Sequence, residues 1–373
     1  MRVLHLYSGN LYGGIESLLV TLATERRLTP AMKPHFGLGF DGRLHDALVA
    51  AGTPVYRLGQ VRMSRPASVW RARRTLKDLL SRVSFDVAVA HSPWALAVFG
   101  PPVRAAPVPL VLWLHNPMRS RHWVDVWARR TVPDLVVANS RYTADTVRAV
   151  YPGAPVEWLY SPVPPPATPV PGTMPRLQLR SALQTPDDAV VVLQVSRLEP
   201  WKGQMTLLEA LGRLRPLPGW VAWIAGGPQR AAERRYADAL RRAAVDQGIA
   251  DRVRFIGERH DVAALMRAAD LYCQPNVEPE PFGIVFLEAL WAGLPVVTSA
   301  SGGAGEILDD TCGVLVPPRD PAALAVALQT LVIDGDGRAR LGEAGPNRAR
   351  ELCGPQTQMP RVHDVLRRVT AAE

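Results

Sequence analysis

The chain has 373 residues, 47% apolar and 21% charged, which excludes global disorder and predicts about two domains. Its net charge of +9, from 43 basic and 34 acidic side chains, suggests an anionic partner: nucleic acid, a membrane surface or a phosphorylated ligand. No run of about 18 apolar residues predicts a membrane-spanning helix, and three scattered cysteines (Cys273, Cys312, Cys353) exclude a disulfide framework or a zinc site and fit a reducing cytoplasm.

The opening Met1–Tyr7 reads as a strand and not as the charged and apolar regions of a signal peptide. Buried strands are predicted over Val3–Tyr7, Asp86–Ala90, Val108–Leu114 and Leu135–Ala138, with a helical pattern over Ser17–Arg27. Ser161–Pro175 then holds seven prolines in fifteen residues, which can neither continue a helix nor sit in a central strand. It reads as a semi-rigid linker. The pattern then repeats, with strands Val190–Val195, Trp220–Ala225, Val253–Ile256, Asp270–Gln274 and Val296–Thr298. Helical patterns cover Gln204–Leu214, Ala232–Gln247 and Gln356–Val369. Alternating strands and helices predict an α/β protein of two doubly wound, Rossmann-like domains, over 1–165 and 166–355. A last helix over 356–373 is free to pack back on the first domain.

Ligands of such sheets bind outside the carboxyl ends of the strands, so the strand-to-helix loops carry the candidates. After the first strand, Gly13 and Gly14 precede a helix, an arrangement that admits an anion to backbone N–H groups or simply makes a tight turn. It is neither the dinucleotide-binding G-x-G-x-x-G nor a P-loop. After Val195 come Arg197 and Lys202, two cations in one loop that can grip a diphosphate, the arginine as a fork and the lysine as a point charge. Only three basic residues are lysine (Lys33, Lys77, Lys202), so one at this position stands out.

Glu280-Pro281-Phe282-Gly283 leads into an apolar helix that carries Glu288. A carboxylate there must find partners, such as the hydroxyls of a ribose, or serve as a satisfied structural acid. Glu280 stands at the helix N-terminus, where free N–H groups are expected. Gly302 and Gly303 lie in a further glycine-rich loop. Asp334-Gly335-Asp336 has the D-x-D form of a metal motif but falls between helical patterns and reads as a turn.

Taken together these motifs resemble the retaining glycosyltransferases of family 4, which have the GT-B fold. The most specific element is E-x7-E, met by Glu280 and Glu288, supported by Arg197, Lys202-Gly203, Gly13-Gly14-x-Glu16, Gly302-Gly303-x-x-Glu306 and the run Gly313–Asp320. The resemblance implies that Arg197 and Lys202 hold the donor diphosphate, Glu288 the ribose, and Glu280 the donor sugar. Backbone amides at Gly14, Phe282 and Gly283 would touch sugar or phosphate. His115 matches a family histidine that contacts the sugar, and the loop 258–261 with Arg259 would lie near the base. Asn116 departs from the pattern, since relatives often carry an acid there. No metal or other cofactor is implied, and the nucleotide-sugar is a substrate.

Residues 1–165 hold 20 basic and 10 acidic side chains, against 23 and 24 in 166–373, so the positive excess belongs to the first half. It gathers around Arg57–Arg82, where Val69, Leu76, Leu80 and Val83 recur at helical spacing beside Trp70. This reads as a helix covering the sheet, or as one that also touches an anionic membrane. The sequence therefore predicts a cytoplasmic enzyme, peripheral on the inner membrane, that moves a sugar from a nucleotide-sugar to a saccharide or lipid-linked acceptor. A GT-B epimerase or phosphorylase is the alternative, and a nucleic-acid-binding protein a weaker one, since no nucleic-acid motif is present.

Overall fold

A computed structural model of the protein describes residues 1–9, 13–62, 64–166, 174–228 and 231–371. Positions 167–173 of the proline-rich stretch and 10–12 of the first loop lie outside them. The chain forms two compact units, residues 1–164 with 352–373, and residues 165–351.

The first unit runs β1 (Arg2–Tyr7), α1 (Gly14–Thr24), β2 (Lys33–Leu38), α2 (Arg43–Ala50), β3 (Val55–Arg57), α3 (Pro66–Arg82), β4 (Val87–Ala90), α4 (Pro93–Arg104), β5 (Leu110–Leu114), α5 (Trp123–Ala128), β6 (Leu135–Ala138), α6 (Arg141–Asp145) and β7 (Val156–Trp158). The strands form one parallel sheet in the order β3-β2-β1-β4-β5-β6-β7. Alternate residues feed two cores. Leu4, Leu6, Ala88, Ala90 and Leu112 join residues of α3 and α4 in one. Val3, Val87, Val89 and Val111 join Leu18, Leu19 and Leu22 of α1 in the other.

Strand β2 was hidden in the sequence by Pro34. Lys33 donates its N–H to Met1 on the β1 side, and Phe36 donates to Pro54 on the β3 side. Pro34 shares the second side, where β3 pairs only from Phe36 onward, so its missing N–H costs no ladder bond.

Helix α4 contains Pro101 and Pro102, which cannot donate to the carbonyls of Ala97 and Val98. The Arg73 guanidinium of α3 supplies both bonds, Nη2 to Ala97 at 2.8 Å and Nε to Val98 at 2.9 Å. Arg73 is therefore tied to α4 and stands apart from the exposed basic residues Arg71, Arg74 and Lys77 of the same helix. The buried stripe of α3 also runs through Ser68 and Ala72 as well as Leu76.

The second unit runs α7 (Arg176–Ala182), β8 (Val190–Val195), α8 (Gln204–Arg213), β9 (Trp220–Ala225), α9 (Ala231–Asp246), β10 (Val253–Gly257), α10 (Val262–Ala268), β11 (Leu271–Gln274), α11 (Ile284–Trp291), β12 (Val296–Ser299), α12 (Ala304–Ile307), β13 (Gly313–Val316), α13 (Pro321–Ile333) and most of α14 (Gly335–Cys353). Its sheet is parallel in the order β10-β9-β8-β11-β12-β13. Asp334 caps α13, and its carboxylate accepts the Gly337 N–H at 2.8 Å; Gly335 and Asp336 are already the first residues of α14, so of the expected turn only Asp334 lies between the helices.

The last helix, α15 (Pro355–Thr370), packs on the first unit. Met359, Val362, Val365 and Leu366 enter the α1 core, and Arg368 pairs with Glu157. In each sheet the strand order reverses once, between β1 and β4 and between β8 and β11, and ligand crevices open at such switch points. The wholly buried Arg180 fixes the second of these. It donates to the Ala189 carbonyl and to Asp270, whose carboxylate also accepts the Val191 N–H.

Candidate active site

The loops at the β8/β11 switch point hold most of the charged candidates. After β8 the chain makes a 3₁₀ turn over Pro200–Lys202 and enters α8 through Gly203, whose φ is +75°. A Cβ at Gly203 would lie 1.8 Å from the Pro275 carbonyl oxygen, so only glycine lets this loop lie against the one after β11. That approach brings Lys202 Nζ to 2.8 Å from Glu280 Oε2, with both side chains largely buried. Asn276 Nδ2 donates to the same oxygen at 2.7 Å, and Gln274 Nε2 lies at 3.5 Å. Glu280 Oε1 has no partner among the described residues. Tyr272 sits beneath, its hydroxyl 2.9 Å from Gln274 Oε1 and 3.1 Å from the Val195 carbonyl.

The glycine loop after β12 serves Glu280 directly. Gly302 pairs with Glu280 as a single parallel bridge, and Gly303 donates its N–H to the Glu280 carbonyl at 2.7 Å. A Cβ on Gly302 would stand 2.2 Å from that carbonyl oxygen, and its φ is +69°. The Gly303 amide is thus engaged within the protein.

Gly283 caps α11 at φ +104°, and Phe282 beside it is buried. Four residues into α11, Glu288 is partly buried with no hydrogen-bond partner among the described residues. Burial pushes its carboxyl pKa up to about 7. Arg197 is half-exposed and pairs with Glu199 at 3.1 Å, and the Trp201 indole also donates to Glu199. Arg259 forms a two-bond fork with Asp261, which holds the Asp261 carboxyl below its ordinary range.

In the first unit, Gly13 and Gly14 are exposed where α1 begins. Glu16 is buried. It accepts the Gly13 N–H at 2.9 Å and the Tyr7 hydroxyl at 2.7 Å, so it shapes the loop from within. His115 directly follows β5 and is partly buried, and Asn116 beside it is exposed. Among the described residues no three His, Cys, Asp or Glu side chains gather as a metal site.

The structure thus gathers Lys202 and Glu280 into one cluster with Gly302 and Gly303. It adds Gln274 and Asn276, which sequence reasoning missed. Their signal was present as two amide side chains, one ending an otherwise apolar strand and one just beyond it.

Two units, each built on one parallel sheet with a single switch point, are the architecture of the GT-B class. The description "Glycosyl transferases group 1" matches residues 175–348, and "Glycosyltransferase Family 4" matches residues 12–165. The phosphatidyl-myo-inositol mannosyltransferase of Mycobacterium leprae is 31% identical over 96% of this chain and 95% of its own. The D-inositol 3-phosphate glycosyltransferase of Corynebacterium efficiens is 34% identical over 62% of this chain, which spans about half (54%) of that relative. The crystal structure of Anabaena Alr3699/HepE with UDP and glucose superposes with a TM-score of 0.82 at 26% identity, covering 98% of this chain and 99% of the other. This chain belongs to glycosyltransferase family 4.

Proposed function

We propose that the protein is a retaining glycosyltransferase that moves a sugar from a nucleotide-sugar to a saccharide or lipid-linked acceptor in bacterial polysaccharide or glycolipid synthesis. The observation that carries this reading is the half-occupied Glu280 carboxylate. One oxygen is fixed by Lys202 and Asn276, and the other is left for a ligand hydroxyl. The Lys202 ammonium has three N–H donors and uses one on Glu280, so it can hold a phosphate oxygen at the same time. A single cation would then join the sugar-positioning acid to the diphosphate. Arg197 is half-exposed, is tied among the described residues only to Glu199, and can turn to the second phosphate. Glu288, a carboxylate without a partner among the described residues, suits two ribose hydroxyls. Gly14, Phe282 and Gly283 would turn backbone N–H groups to sugar or phosphate, while the Gly13 N–H stays on Glu16 and Gly13 shapes the loop; Arg259 would lie beside the base.

In the proposed reaction the C1–O bond to the diphosphate breaks while the acceptor oxygen bonds C1 on the same face. The acceptor's proton passes to the departing phosphate oxygen. Lys202 and Arg197 take up the developing charge, a role that demands fixed donors where charge appears and no enzyme nucleophile.

The first unit would bind the acceptor. Its helix α3 exposes Trp70 with Arg71, Arg74 and Lys77, and the loop before it exposes Arg62 and Arg65, a surface suited to an anionic membrane carrying a lipid-linked acceptor at the cytoplasmic surface. No helix among the described residues is long and apolar enough to cross a membrane.

A thermal-shift panel of UDP-, GDP-, ADP- and dTDP-sugars tests the donor site. A true donor at 100 times its dissociation constant adds about 2.7 kcal/mol of stability. No shift with any of them would overturn the reading.

A further inference from the structure

The first unit contains a line of three histidines on one face of its sheet. His5 lies on β1, His91 directly follows β4, and His115 directly follows β5. His5 Nδ1 is 2.9 Å from His91 Nε2, and His91 Nδ1 is 3.2 Å from His115 Nε2. His5 and His91 are fully buried. His5 stacks on Phe36, and Trp113 stacks on both His91 and His115. Burial, the largest cause in each case, holds His5 and His115 down at about 3 and His91 well below its ordinary value, so all three rings are neutral.

A neutral imidazole carries one N–H, and each of the two contacts needs one proton between its nitrogens. Only two protonation patterns meet both conditions. If His115 carries its proton on Nε2, it donates to His91, His91 donates to His5, and His5 is left with a proton on Nε2. That nitrogen is buried and has no partner among the described residues. If the protons run the other way, all three rings are Nδ1–H, and the orphan at His5 is a lone pair. Buried N–H groups without an acceptor are rarer and costlier than unpaired acceptors.

We infer that His91 and His5 are positioning residues that lock His115 in its Nδ1–H form and so fix which way its ligand-facing nitrogen hydrogen-bonds. Nδ1 of His115 has no partner among the described residues. As a donor it points an N–H at a ligand oxygen, a sugar hydroxyl or a phosphate, and in that form it cannot accept an acceptor's proton. The consequence for transfer rests on the reading of His115 as a donor-contacting residue.

Long-range ¹H–¹⁵N correlation on ¹⁵N-histidine protein near pH 7 reads the tautomers directly in the wild type. The expected spectrum shows a protonated Nδ1 and an imine-type Nε2 for His115, His91 and His5. A protonated Nε2 on His115, or an averaged signal, overturns the inference whatever the activity. Variants supply the second arm. His91→Phe removes the donor to His115, and kcat/KM is expected to fall about 10- to 100-fold, the range for partners that fix a functional histidine's tautomer. His91→Asn keeps an amide N–H near the Nδ1 position and should restore most of it. Equal losses in His91→Phe and His91→Asn refute the positioning role. Unchanged transfer in His115→Ala refutes the donor-contact reading separately, since the spectrum does not depend on it.

Discussion

Lys202 Nζ meets Glu280 Oε2 at 2.8 Å, and this pair joins the loop after β8 to the loop after β11. Both groups are largely desolvated, so neither tolerates losing the other. Lys202→Met leaves a buried carboxylate held only by side-chain amides, and is expected to cost about 3–5 kcal/mol of stability and at least about 100-fold in transfer; Glu280→Gln is the other single variant. The double variant Lys202→Met/Glu280→Gln removes both charges. It should recover much of the lost stability and none of the activity. Urea denaturation of the four proteins in this cycle, with transfer assays on each, separates fold from function. Recovery of activity in the double variant would remove both residues from the chemistry.

Glu288 presents the opposite case, a carboxylate kept without a partner among the described residues. Its folded pKa of about 7 lies above the ordinary 4.5. Between those values the folded protein keeps a proton that the unfolded chain releases. Stability therefore declines as pH rises from about 4.5 to about 7, and the full cost is present above pH 7. Glu288→Gln removes that cost. It is expected to stabilise the free protein at pH 8 by on the order of 3 kcal/mol and to change little below pH 4.5. Ribose hydroxyls donate best to the ionised form, so donor affinity should rise with pH through about 7 in the wild type. In the variant it should be weak throughout. Denaturation and donor titration at pH 5 and pH 8 measure both effects.

The sequence shows the strands that are buried on both faces. Leu135–Ala138 and Trp220–Ala225 are continuous apolar runs, Val190–Val195 is broken only by Gln194, and the bounds of all three agree with the structure residue for residue. It conceals the strands whose identity depends on neighbours. Lys33–Leu38 contains Pro34, and Val55–Arg57 has only three residues, so neither carries a periodic signal of its own. The site divides in the same way. The charges of Lys202, Glu280 and Glu288 and their spacing can be read along the chain. The resting partners cannot: Arg197 with Glu199, Arg259 with Asp261, and Gly303 with the Glu280 carbonyl are tertiary or loop geometry. The histidine line is equally invisible, because residues 5, 91 and 115 meet only through strand order.

Gly302 is a steric requirement. Gly302→Ala would place a methyl group 2.2 Å from the Glu280 carbonyl at a φ of +69°. The bridge must open, and Glu280 moves with it. A loss of about 1–3 kcal/mol from the backbone alone is expected, with transfer falling further than stability implies. Gly305→Ala, whose added Cβ meets only Leu315 at 4.0 Å, is the control and should behave as wild type. Thermal melts and initial rates on the two variants decide the matter. A Gly302→Ala enzyme at wild-type rate would show that Glu280 needs no such backing.

Arg73 and its neighbours on α3 should separate cleanly. Arg73→Met leaves the carbonyls of Ala97 and Val98 without donors and is expected to cost about 2 kcal/mol or more. Pro101→Ala restores an N–H for Ala97, so the cost of Arg73→Met should shrink in that background. Arg71, Arg74 and Lys77 are exposed and make no such bonds, and Arg74 only overlies the Trp70 ring. Replacing these three by serine should leave stability within about 0.5 kcal/mol. Binding to anionic vesicles should weaken by about 1 kcal/mol per charge, an effect that vanishes at high salt. Sedimentation with phosphatidylserine-containing and neutral vesicles measures this. Equal binding by wild type and triple variant would assign the exposed face of α3 to solvent alone, whereas Arg73→Met should bind vesicles as the wild type does.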